Sequence, residues 1–168
     1  MELTTHQKTV KYTVYCLVIA VAGLLQNTPG LFWQIGSARC FLLLPVTLLL
    51  VMGERELPAA LLGLFAGCVW DLHAAKSAGF NALFFMLLCF GVSTVMERYI
   101  RSTFALPAPF LYGLLYWLCF ILIKGVDGGT NTLFTFYLPC ALYTAVVAPI
   151  LWFLLRPLRQ RLNRKALQ

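Results

Sequence analysis

The sequence predicts an all-α membrane protein with six transmembrane helices and both termini on the cytoplasmic side. Two observations carry this. Hydrophobic residues make up 61% of the 168 residues and charged residues only 11%, against roughly 25% charged in ordinary soluble domains. The charges also cluster, leaving residues 12–38, 40–53, 57–70, 77–96, 102–123 and 128–155 free of Asp, Glu, Lys and Arg. A single domain of this length cannot hide that much apolar surface from water, so lipid tails are its natural solvent.

A spanning helix needs roughly 20 apolar residues to cross a hydrocarbon core about 30 Å thick. The first, fourth, fifth and sixth intervals meet this length. The second and third correspond to about 21 Å of helix each. Segment two therefore starts near Ile35 with Arg39 snorkelling to the interface, and segment three runs through Asp71 towards Ala75. The alternative is a re-entrant helical pair entering from the outer side. The expected helices cover about residues 12–26, 37–52, 57–75, 80–96, 104–123 and 133–155, with a basic cytoplasmic tail over 156–168, all in one membrane domain.

Helix one follows Lys8 and Lys11 as a signal peptide would, but ends in Gln26-Asn27-Thr28-Pro29 without a small-x-small cleavage pattern. It is expected to stay as an uncleaved first helix. Trp33 suits the outer interface. Helix two carries Pro45 in its middle, where a bend is expected. Gly53-Glu54-Arg55-Glu56 forms a tight inner turn, and Pro58 fits the first turn of helix three. Glu97, Arg98 and Arg101 mark the inner loop between helices four and five. A flexible outer turn, Lys124 to Asn131, leads to helix six, expected to be interrupted at Pro139 and Pro149.

With the N-terminus inside, the inner segments carry Lys8, Lys11, Arg55, Arg98, Arg101, Arg156, Arg159, Arg161, Arg164 and Lys165. Only Arg39, Lys76 and Lys124 of the 13 basic residues fall outside. The Lys/Arg bias of short loops sets orientation, and this imbalance places both ends in the cytoplasm. The tail residues Arg156, Arg159, Arg161, Arg164 and Lys165 are read as an anchor on anionic lipid or as a docking strip for a cytoplasmic partner. Nothing accompanies them to suggest nucleic-acid binding.

The densest pattern is Ala59, Gly63, Gly67 and Asp71, one residue every four along helix three, with Gly79 beyond. Such residues share a slowly drifting helix face. Small residues there open a groove for close backbone approach, which maximises van der Waals contact in lipid. Asp71 closes the stripe. It either ends the helix and caps the next turn, or forms an ion pair or partner contact, with Arg39 at the start of helix two as the candidate partner.

Little in the chain points to catalysis. Cys16, Cys40, Cys68, Cys89, Cys119 and Cys140 sit in apolar segments without a Cys-x-x-Cys pair and read as small hydrophobes. His73 lies near Asp71, but one His and one Asp do not make a usual metal site. No nucleophile has a His and acid in a recognisable arrangement, and no Gly-rich phosphate loop precedes a Lys. No enzyme, metal or cofactor is expected.

With the stripe located, the chain resembles the bacterial rod shape-determining protein MreD family. The matching stretch is Gly63-x-x-x-Gly67-x-x-x-Asp71, followed by Gly79-Phe80-Asn81-Ala82-Leu83. The chain departs from the family at Ala38-Arg39, where members often carry a Pro-acid pair. The resemblance implies a non-catalytic role in cell-shape maintenance within the elongation complex of the cell membrane. The implied partners are the bitopic protein MreC, the actin-like MreB, and the RodA glycosyltransferase with its penicillin-binding transpeptidase. The alternative is a substrate-binding S component of an energy-coupling-factor vitamin importer, whose six-helix, N-in/C-in form the chain is also similar to. The Ala-x-x-x-Ala docking pattern of that class is replaced in helix one by Cys16-x-x-x-Ala20, and the outer loops of this chain are poor in polar ligand-binding groups, with Trp33, Asp127 and Asn131 keeping that alternative open.

Overall fold

The computed structural model describes residues 5–28, 40–72, 79–99 and 138–164. All five elements among them are helices: α1 (Thr5–Asn27), α2 (Leu43–Val51), α3 (Glu56–Asp71), α4 (Phe80–Tyr99) and α5 (Leu138–Arg164). The helix expected over 104–123, the first residues of the one expected over 133–155, and the outer loops lie outside the described residues.

The helix ends follow backbone breakers more closely than charges. α1 begins at Thr5, ahead of the apolar run, because Lys8 and Lys11 end hydrophobicity without ending a helix. It stops just before the Thr28-Pro29 step, where a residue preceding proline is disfavoured in helical geometry, and Thr28 Oγ1 donates to the Leu24 carbonyl at 2.7 Å. At its other end α5 runs through Pro149 and Pro157 to Arg164, so most of the basic stretch expected as a tail is helical. Arg156 stacks over the Trp152 ring one turn back, 4.8 Å from its centroid.

α2 is shorter than its apolar interval, and Pro45 is the reason. Expected to bend the middle of a longer helix, it sits instead in the first turn of α2. The missing N–H and the clash with the carbonyl four residues back cost nothing there. The helix-start N–H groups are met by neighbouring helices. Leu43 N donates to Gln26 Oε1 of α1 at 2.9 Å, and Phe41 N to Thr144 Oγ1 of α5 at 3.1 Å. Thr144 in turn donates to the Cys140 carbonyl at 2.7 Å.

α2 is also the centre of the molecule: every one of its residues is buried. It is packed by α1, α3, α4 and α5, with Tyr15, Ile19, Phe85 and Val92 among the largest fully buried side chains around it. The exterior is apolar as well. Leu17 and Leu24 of α1, Leu57 and Leu61 of α3, Leu87 and Phe90 of α4, and Val146 and Phe153 of α5 are exposed. Helices apolar on both their inward and outward faces suit a membrane interior. Two of them, over His6–Asn27 and Leu142–Leu162, are long and apolar enough to cross a bilayer, with only 28% and 18% of their apolar windows covered by the rest of the chain.

Polar contacts gather in two layers at opposite ends of this apolar middle. One holds Gln26 with Leu43 N, Thr144 with Phe41 N, and Asp71 with Asn81; the Phe41 and Trp70 rings, 5.6 Å apart, tie its parts together. The other holds Lys11, Glu54, Ser93 and Arg159. We expect Thr144→Val, nearly isosteric, to remove the hydrogen bond from the part-buried Phe41 N–H and lower stability by about 1 kcal/mol. Thermal unfolding in detergent checks this; an unchanged midpoint would show that Thr144 does not cap α2.

Candidate functional site

The stripe on α3 is occupied by α4. The two helices form the most extensive pairing among the described residues. A Cβ on Gly63 would lie 2.8 Å from Cys89 Cβ and collide with the Phe85 carbonyl oxygen; one on Gly67 would lie 2.6 Å from Ala82 N and collide with Asn81 O and Ala82 Cα. Backbone meets backbone, so no side-chain rotation could relieve the overlap. Ala59, earlier on the stripe, is fully buried in the core. Gly23 of α1 is a further close-approach position, where a Cβ would overlap the Val69 side chain of α3. Sequence inspection misses it, because it has no partner glycine four residues away.

Asp71 continues the seam by hydrogen bonding. Asn81 Nδ2 donates to Asp71 Oδ1 at 2.7 Å, and Ala82 N donates to Asp71 Oδ2 at 3.0 Å. Asn81 and Ala82 belong to the first turn of α4, whose N–H groups have no partner within the helix. Helix α4 follows Gly79, at φ +80°, which has no side chain to cap it. The Asp71 carboxylate does that work from the neighbouring helix, and its charge faces the positive end of the α4 dipole. Gly79 is thus a turn residue; a Cβ there would meet open space. Of the two roles expected for Asp71, the cap is the one among the described residues. Arg39 lies outside them, as do His73 and Lys165.

A second cluster, in the layer that holds Lys11 and Glu54, is not signalled as a unit by the sequence. Lys11 Nζ of α1 and Glu54 Oε1 in the α2–α3 turn form an ion pair at 2.5 Å, with side chains 7% and 5% exposed. The Tyr12 and Tyr15 hydroxyls lie 3.4 and 3.5 Å from the same carboxylate, and the Lys11 ammonium sits 5.8 and 5.7 Å from their ring centroids. Ser93 Oγ of α4 donates to the Glu54 carbonyl at 2.6 Å. The turn that presents Glu54 depends on Gly53, at φ +87°. A partial signal exists: Lys11 and Glu54 are opposite charges flanking apolar segments that the sequence places on the same side of the membrane. Read singly, each belongs to a loop.

The basic residues of α5 do different things. Arg159 turns inward, its Nη1 3.5 Å from the Leu49 carbonyl oxygen, beneath Gly53. Arg156 is exposed over Trp152, and Arg161 is exposed. Arg164 closes the helix. Of the α5 arginines whose exposure is described, Arg156 and Arg161 are exposed and Arg159 is partly covered. Among the described residues no three His, Cys, Asp or Glu side chains come together as a metal would require.

The architecture is thus a set of packing and capping contacts on apolar helices. A family model, that of rod shape-determining protein MreD, matches residues 7–162, nearly the whole chain. The chain belongs to the MreD family. MreD proteins are membrane proteins of the MreBCD shape system, a structural family not known for catalysis. The match takes in both the α3–α4 seam and the Lys11–Glu54 ion pair. Searches of the curated proteins and of the solved structures gave no match.

Two outcomes follow from this geometry. Gly67→Val drives a branched side chain into the α4 backbone, and should destabilise by about 1–3 kcal/mol or more; the readout is the thermal midpoint in detergent, and an unaltered one would mean that α4 does not lie on Gly67. Lys11→Met leaves a buried carboxylate unpaired, at a cost of about 3–5 kcal/mol. Adding Glu54→Gln should recover much of that loss, and a double variant no more stable than Lys11→Met alone would refute the pairing.

Proposed function

We propose that the chain is a non-catalytic membrane scaffold of the bacterial cell-elongation machinery, which maintains rod shape by holding partner helices in the inner membrane. The observation that carries this is the family match over residues 7–162. In this reading the chain crosses the membrane six times with both ends in the cytoplasm, which the distribution of its basic residues supports. The principal partner is an MreC-like bitopic protein. The RodA and penicillin-binding pair and MreB are further members of the same assembly.

The mechanism is association by surface. Because α4 fills the stripe at Gly63 and Gly67, a partner helix docks elsewhere on the apolar exterior, where van der Waals packing and lipid release drive association. The exposed Arg156 and Arg161 touch anionic headgroups or cytoplasmic components at the inner surface. Among the described residues the buried polar groups are committed to internal contacts, which supports a structural role over a ligand-binding one.

Depletion in a rod-shaped host separates the scaffold from the vitamin-importer alternative. Cells should round while micronutrient uptake stays normal, and an MreC-like protein should co-purify with the tagged chain. Rods that persist while vitamin uptake fails would overturn the scaffold and favour a transporter.

A further inference from the structure

We propose that Arg159, with Arg55 beside it, forms a seat for the phosphate group of an anionic phospholipid at one end of the helix bundle. The inference rests on the membrane reading above and deepens it: headgroup contact is assigned to one built position instead of to the basic residues at large.

Arg159 reaches back from α5 to the α2–α3 turn. Its Nη2 lies against Gly53, 3.4 Å from where a Cβ would stand, so the glycine leaves room for the guanidinium. Its Nη1 makes a long contact, 3.5 Å, to the Leu49 carbonyl oxygen. A guanidinium carries five N–H donors in a planar fork, and this one has only that acceptor among the described residues. The carboxylate at the turn is already taken. Glu54 holds Lys11 in an ion pair and accepts from the Tyr12 and Tyr15 hydroxyls. Lys11–Glu54 is the one ion pair among the described residues, so Arg159 and Arg55 have no carboxylate partner there.

The two arginines converge on the same place. Arg159 acts electrostatically on the Tyr15 hydroxyl and Arg55 on the Tyr12 hydroxyl, and both hydroxyls bond to Glu54. Arg55 and Gly53 are exposed, Arg159 is partly covered, and Arg156 is exposed one turn before it. Among the described side chains at this end, these arginines and Lys11 outnumber the carboxylates of Glu54 and Glu56. Phosphate answers such a surplus, because its oxygens accept from a guanidinium fork in pairs.

The surroundings favour a lipid over a free ion. Exposed Leu57 follows Arg55 by two residues, and exposed Phe153 and Leu154 precede Arg156. The arginines thus stand at the border of the apolar surface, where the headgroup phosphates of a bilayer lie.

The test titrates brominated phosphatidylglycerol into phosphatidylcholine bilayers that hold the full chain. Quenching of the tryptophans, among them Trp152 beneath Arg156, gives the relative affinity for the anionic lipid. The native chain should prefer it. Arg159→Lys keeps the charge but loses the fork, and should weaken that preference by about fivefold, nearly as far as Arg159→Gln. Arg55→Lys, at an exposed position where folding is not at stake, should weaken it by about twofold or more. Diffuse attraction to a basic surface depends on charge alone, so lysine variants that bind like the native chain would overturn the seat. Equal affinity of the native chain for both lipids would do the same. Displacement of the brominated lipid by inorganic phosphate would make the free ion the occupant and overturn the lipid. Each of these results leaves the scaffold reading to the depletion experiment. Failure to incorporate into either bilayer would defeat both.

Discussion

Helices buried in lipid gain nothing from hiding apolar surface on one another, since the tails they displace are equally apolar. What holds such helices together is the density of contact and the satisfaction of polar groups. In this chain the α3–α4 seam supplies both. Gly63 and Gly67 let the α4 backbone settle onto α3, and Asp71 extends the same face into hydrogen bonds to Asn81 and Ala82. The three residues act in sequence along one line: contact where side chains are absent, then capping where the partner helix begins. Slide α4 by a residue and the carboxylate loses its amide while the glycines lose their match.

α2 depends on the frame this seam helps to build. A nine-residue helix is too short to persist alone, and its start has N–H groups with no internal partner. Its stability comes from burial on all sides and from caps donated by Gln26 and Thr144, on helices before and after it in the chain. Pro45 contributes by fixing where the helix begins, a local rule that makes the distant caps necessary. Sequence-local and tertiary effects meet at one peptide segment, residues 41–43.

Much of this is visible in the residues, and the parts that are not share a cause. The stripe on α3 is legible because a four-residue repeat of small side chains ending in an acid marks one face of a helix and little else. The capping role of Asp71 is one of the two that the repeat allows. The place of Pro45 is not legible from charge-free length, because charge governs lipid exposure whereas proline governs helix starts. The Lys11–Glu54 cluster is hidden for a different reason. Lys11 and Glu54 are distant in sequence, and no periodicity links residues on separate helices. Charges at the ends of apolar segments suggest solvated loops, yet a loop at the end of a bundle can still be buried. Arg159 turns inward for the same reason: helix α5 continues where the charges suggest a tail.

The Lys11–Glu54 pair is best understood through register rather than strength. A buried ion pair costs so much desolvation that a well-packed apolar pair of the same size is often as stable or more so. Its distinctive property is direction. On α1, Lys11 and Gln26 lie about 22 Å apart, and each has one partner on the next segment, Glu54 and Leu43 N. A shift of α1 by one turn, about 5.4 Å, would break both contacts at once, and would leave a charge and an amide buried without partners. Leucine-rich surfaces tolerate such shifts because one apolar contact replaces another. Polar pins at both ends do not, so α1 and α2 have one alignment at low energy. In the scaffold proposed above, a single alignment is what would keep the exterior offered to other helices constant.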